Sequence, residues 1–161
     1  MNHLLALVLT GVGATLITDA WGLARKALLG VPAPDYGMVG RWIGHMARGK
    51  FRHDRIAAAA PIIGERTLGW GAHYAIGIAF AAGLIAITGV TWLSKPTLTP
   101  ALVFGIGTVL APFLLMQPGM GAGIAASRTP RPGSARLHSL INHAVFGLGL
   151  WLTAWAIAIA S

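Results

Sequence analysis

The chain has 161 residues, of which 55% are hydrophobic and 10% charged, with a mean hydropathy of +0.69. That balance is too apolar for a water-soluble domain of this length and points to a lipid bilayer as partner. The net charge of +8 does not indicate nucleic acid, because the basic residues fall in two blocks between apolar spans, and the lack of cysteine excludes disulfides and thiolate chemistry.

The first apolar segment, about residues 3–23, has no basic n-region and no small-x-small cleavage site before Arg25 and Lys26, so it reads as a retained span. In the connection that follows, Val39, Trp42, Ile43 and Met46 recur at helical spacing, with Arg41, His45 and Arg48 on the other face. This predicts a short interfacial helix over about 35–48, after breaks at Gly30, Pro32 and Pro34, with Asp35 placed to cap it. The tract RGKFRHDR (Arg48 to Arg55) reads as a solvated basic face attracted to anionic lipid head groups. Glu65, the only glutamate, reads as half of a solvated ion pair with a neighbouring arginine, and Trp42, Glu65, Arg66 and Arg136 are assigned to the interface.

The second span, about 67–93, carries no formal charge along its length, and 27 residues at about 1.5 Å each cross a roughly 30 Å hydrocarbon core with tilt to spare. A third span covers about 98–116, where Pro112 and the glycine-rich run after Gln117 predict a kink or a broken helix end. The fourth covers about 137–160. Trp70 and Tyr74 at one end, and Trp92, Trp151 and Trp155 at the other, fit aromatic belts. Eleven of the twelve basic residues lie in the connections between spans one and two and between spans three and four, with Lys95 opposite. The positive-inside rule makes both connections cytoplasmic and places both termini outside. The expected fold is therefore all-α, a single membrane domain of four transmembrane helices.

The halves also match each other. Ala6–Thr15 (ALVLTGVGAT) resembles Ala101–Thr108 (ALVFGIGT) with a gap, and Arg66-x6-His73-x3-Gly77 repeats as Arg136-x6-His143-x3-Gly147 without one. Two matches in the same order, on spans of equal orientation, predict a duplicated two-helix unit with a pseudo-two-fold axis along the membrane normal, and sites in such folds lie between repeats.

Asp19 lies six residues before Arg25, and His73 and His143 each lie seven after an arginine, so all three reach about 10 Å into the apolar region from the same side. Asn142 and Gln117 join them as candidates for a substrate or proton site. One reading is that hydrogen bonds from these groups merely hold the helices together. Ionisable residues in spans otherwise mark function, and three readings follow. Asp19 and the histidines form the site of a small proton-coupled transporter or carrier; Asp19, His73 and His143 bind a divalent metal; or His73 and His143 ligate a haem in a redox protein. A non-catalytic assembly subunit is a further alternative. No cofactor is specified, no sequence-local catalytic motif is present, and the glycine-rich faces suit a homo-oligomer.

The segments GRW (Gly40–Trp42), GER (Gly64–Arg66), GWGAHYAIG (Gly69–Gly77), APFLLMQPGMGAGIAAS (Ala111–Ser127) and NHAVFGLGL (Asn142–Leu150) resemble DUF2938, a bacterial family of small integral membrane proteins of unknown function. The resemblance covers nearly the whole chain and implies a polytopic protein of the bacterial inner membrane, with no activity, substrate or cofactor to carry over.

Overall fold

A computed structural model describes residues 2–160. Six α-helices form: α1 (His3–Leu29), α2 (Tyr36–Met46), α3 (Glu65–Thr88), α4 (Leu98–Gly107), α5 (Gln117–Met120) and α6 (Pro132–Ala160), and no strand occurs among the described residues. Four stretches are long and apolar enough to cross a membrane: α1, α3, Leu98–Met120 and α6. The chain forms two compact units. The first comprises the described residues of Met1–Ala33, Tyr74–Thr108 and Leu140–Ser161; the second comprises Pro34–His73 and Val109–Ser139.

In the first unit α1 starts at Asn2, whose Oδ1 accepts from the Leu4 N–H, and ends at Gly30, where a left-handed φ of 64° lets the Gly30 N–H close on the Lys26 carbonyl. It therefore runs beyond the expected end at residue 23 and takes Arg25 and Lys26 into the helix. The threonine hydroxyls of Thr10, Thr15, Thr18 and Thr88 each donate to a carbonyl four residues earlier, which satisfies them without water.

Small residues set the helix crossings. A Cβ on Gly11 would sit 2.6 Å from the Ile78 Cα and 3.0 Å from the Gly77 carbonyl, so α1 and α3 touch backbone to backbone. Gly105 of α4 lies equally tight against Gly147 of α6, and Gly149 of α6 packs on Ala14 of α1. Such close backbone approach at small residues is the packing that holds apolar helices of this length together. Around these crossings pack Ala81, Leu84, Ile85, Ala101, Phe146, Leu150 and Ala154, and Phe80 meets Phe146 edge-on at 6.0 Å.

The second unit contains the connection between α1 and α3. Asp35 caps α2 by accepting from the Gly37 N–H at 2.9 Å. A Cβ on Gly69 or Gly40 would overlap backbone of the other helix, so α2 crosses the first turns of α3 at these glycines. The anticipated kink in the third span takes the form of a π-helical turn over Pro112–Met116. Pro112 has no N–H for the carbonyl of Thr108, and the chain widens until the Gln117 N–H reaches the Pro112 carbonyl. Beyond α5 the turn is left-handed at Gly121, Gly123, Ala125 and Ala126, and the two alanines (φ 47° and 58°) are in a region that costs a residue with a Cβ.

Candidate functional site

Polar side chains link all four spans of the first unit. The Tyr74 hydroxyl of α3 donates to Asp19 Oδ2 of α1 at 2.9 Å. Six residues further along α1, Arg25 is 4% exposed; its Nη1 donates to Asn142 Oδ1 of α6 at 3.3 Å and its Nη2 to the Pro32 carbonyl at 3.4 Å. Its Nε is buried without a partner among the described residues. Beside Asn142, His143 Nδ1 lies 2.7 Å from the Thr108 hydroxyl at the end of α4.

That last pair has a defined polarity. The Thr108 hydroxyl donates to the Gly105 carbonyl, and its one proton cannot also serve the imidazole. His143 Nδ1–H is therefore the donor to Thr108 Oγ1, which leaves the Nε2 lone pair as the basic position of the neutral ring.

The second unit has a different character. Arg41 of α2, 8% exposed, clasps Glu65 with both ends of its guanidinium: Nε to Oε2 at 2.8 Å and Nη2 to Oε1 at 2.7 Å. Its Nη1 donates to the Ala59 carbonyl at 3.2 Å, and Glu65 Oε2 also accepts from the Ile62 N–H at 2.9 Å. The hydrogen bonds that Arg41 donates to Glu65 raise the Arg41 pKa above its ordinary value, against the effect of burial. Trp42 donates from Nε1 to the Phe51 carbonyl at 3.0 Å and packs over Gly119, while the His53 N–H donates to the Gly119 carbonyl at 2.9 Å. Burial, followed by the charges of Lys50 and His45, lowers the His53 pKa below the ordinary histidine value.

The expected residues divide between the two units. Asp19, Asn142 and His143 join the polar chain of the first. His73 lies in the second, its ring stacked on Tyr36 with centroids 4.0 Å apart and with Trp70 edge-on at 5.9 Å. Gln117 also lies there, its Oε1 buried without a hydrogen-bond partner. Among the described residues no three His, Asp or Glu side chains are grouped to hold a metal ion, so the metal reading of Asp19, His73 and His143 finds no ligand cluster. Arg136 donates from Nε to the Ala125 carbonyl at 2.8 Å and so braces the left-handed turn.

One reading of a single residue changes: Glu65 is paired with Arg41, 24 residues away, rather than solvated beside a sequence neighbour. The basic tract keeps Arg48, Lys50, Arg52 and Arg55 exposed while its backbone is tied down at Phe51 and His53. Tyr74 gains Asp19 as a partner. Tyr74, Arg25 and Thr108 are the site residues that sequence reasoning missed. A signal for Arg25 did exist, since it continues α1 with no helix breaker before Gly30.

Fold and site together define an all-helical protein with four stretches long and apolar enough to cross a membrane, joined by three separate polar side-chain pairs. The chain belongs to the DUF2938 family, described as a protein of unknown function, whose family model matches residues 8–157. No curated protein and no solved structure matches it.

Proposed function

We propose that the protein is a small proton-coupled carrier of the bacterial inner membrane, in which Asp19 and His143 exchange protons and Arg25 supplies a fixed positive charge. The observation that supports this reading is the set of polar pairs joining α3 to α1, α1 to α6 and α6 to α4, with Arg25 buried and bonded to an amide and a carbonyl rather than to a carboxylate. Ionisable side chains within spans are costly and tend to mark proton or substrate pathways, which favours this reading over helix association alone.

The basic residues of the two longer connections support a cytoplasmic location for both, with the termini outside. A substrate path in a chain of this size forms more readily in an oligomer, whose contacts would use the remaining small-residue faces.

The test is proton flux into proteoliposomes under an imposed pH gradient, comparing wild type with Asp19→Asn, His143→Ala and, for its matched spacing, His73→Ala. Flux that falls at least tenfold in Asp19→Asn and His143→Ala, with both variants folded, supports the reading. Wild-type flux indistinguishable from empty liposomes, or flux that survives both substitutions, removes it.

A further inference from the structure

Within the second unit, a partly open cavity of about 570 Å³ is lined by Lys50, Arg52, His53, Asp54, Arg55 and Arg128. Four permanent cations thus face one carboxylate. None of the four makes an ion pair or a side-chain hydrogen bond among the described residues, although Asp54 lines the same wall. Unpaired surface cations are ordinary when they point into open water. Here they converge on a concavity, and the wall that carries them is held rigid.

The rigidity comes from the backbone. Trp42 bonds the Phe51 carbonyl on one side of the tract, the His53 N–H bonds the Gly119 carbonyl at 2.9 Å in the middle, and Ile56 is buried on the other side. Arg128 enters from a separate segment, and its N–H bonds the Ala122 carbonyl at 2.8 Å. The cavity is therefore assembled from separate stretches of chain, with Pro118 before and Arg128 after the left-handed turn at Ala125 and Ala126. His53 adds the observation that points to a ligand. Its side chain is 8% exposed, it lines the cavity, and its Nε2 is buried with no hydrogen-bond partner. A buried ring nitrogen left unpaired costs free energy unless something bonds it.

We propose that this cavity binds a phosphate group, with the guanidiniums of Arg52, Arg55 and Arg128 as the clamp, Lys50 as a further positive charge, and His53 Nε2 accepting a hydrogen bond from a protonated phosphate oxygen. Phosphate fits better than a carboxylate. It carries up to two charges and presents oxygens in several directions, which suits several guanidinium forks and a surplus of three positive charges over Asp54. The phosphate comes either from a lipid head group or from a soluble phosphate or its monoester. The site shares no residue with the polar chain of the spans, so it goes beyond the carrier reading and stands or falls separately.

The experiment uses the full-length protein in two settings. In a zwitterionic detergent, inorganic phosphate and glycerol phosphate are titrated by calorimetry, and the His53 ring nitrogens are followed by NMR. In nanodiscs of phosphatidylcholine, dioleoyl phosphatidic acid is added as a minor component, and thermal stability and lipid retention are measured. Saturable binding in either setting is expected, weakened about tenfold by Arg128→Gln and by Arg52→Gln, and unchanged by Arg48→Gln, whose position lies outside the cavity. Binding in detergent assigns a soluble phosphate; binding only in nanodiscs assigns the lipid head group. A shift of the His53 Nε2 resonance on binding, lost in Arg128→Gln, locates the anion. Absence of binding in both settings overturns the proposal, as does binding that Arg48→Gln weakens as much as Arg128→Gln, since that would reflect diffuse charge.

Discussion

The α1–α3 and α4–α6 pairs solve one packing problem in the same way and then part company. In each, a glycine meets a glycine at the crossing, Gly11 with Gly77 and Gly105 with Gly147, and a threonine hydroxyl bonds back to the carbonyl of the first glycine. Thr15 reaches back four residues and Thr108 three, which accounts for one of the two residues by which Ala6–Thr15 exceeds Ala101–Thr108. The polar partners differ. In the first pair Asp19 receives Tyr74; in the second Thr108 receives His143. Where α3 begins with Glu65 clasped by Arg41, the corresponding position of α6 is Ala135, and Arg136 instead reaches a backbone carbonyl. A repeated backbone contact leaves little room for change, whereas the side chains around it are free to diverge.

The largest effects should come from filling the crossings. Gly77→Leu and Gly105→Leu place a side chain where the neighbour is backbone, or a threonine seated on it, and cannot shift cheaply; overpacking of this kind costs about 1–3 kcal/mol or more. Both variants are expected to lose the monodisperse peak on size exclusion in detergent, while Gly71→Leu and Gly107→Leu, which have nothing within 4 Å, should keep it. Tolerance at Gly77 but not at Gly105 would break the equivalence of the pairs.

Next comes the ion pair that only the first pair has. Glu65→Gln removes the carboxylate from Arg41 and from the Ile62 N–H together, leaving a buried guanidinium uncompensated. Hydrogen exchange should show lost protection in α2 and the first turn of α3, with α6 unchanged. Ala135→Glu, which gives α6 the missing carboxylate, has only the exposed arginines of its own segment nearby and no counterpart of the buried Arg41, so it should add less stability than Glu65 supplies; an equal gain would contradict the asymmetry described above.

Smaller differences separate the two threonines. Thr108→Val loses the back-bond and the His143 contact, whereas Thr15→Val loses the back-bond alone. The first should be the more destabilising by about 0.6 kcal/mol, the worth of one interhelical hydrogen bond in a membrane, as read by chemical unfolding in mixed micelles.

The smallest effect concerns pH and the longer connection of the first half. His53 is held below the ordinary histidine pKa by burial first and by the charges of Lys50 and His45 next, with a hydrogen bond to the Lys50 backbone and then Asp54 acting the other way. The unfolded chain then binds the proton more readily than the folded one, so stability is fully present above about pH 6.5 and declines as pH falls through that value. A modest drop in melting temperature between pH 7.5 and 5.5 is expected, reduced in His53→Asn. An equal drop in that variant would move the effect to another group.

The amino-acid sequence by itself determined the class of fold, because a span needs only length and apolarity, and both are properties of a single segment. It also determined the helix cap at Asp35 and the break at Pro112, each of which rests on local chemistry. Tertiary structure alone decided the partners. Arg25 and Asn142 are 117 residues apart, Asp19 and Tyr74 are 55, Thr108 and His143 are 35, and Arg41 and Glu65 are 24. Nothing within any one of those segments distinguishes an arginine that orients a helix in a membrane from one that is buried against another helix. The difference lies in which polar group the fold brings within about 3 Å, since only a matched partner makes burial of the charge tolerable.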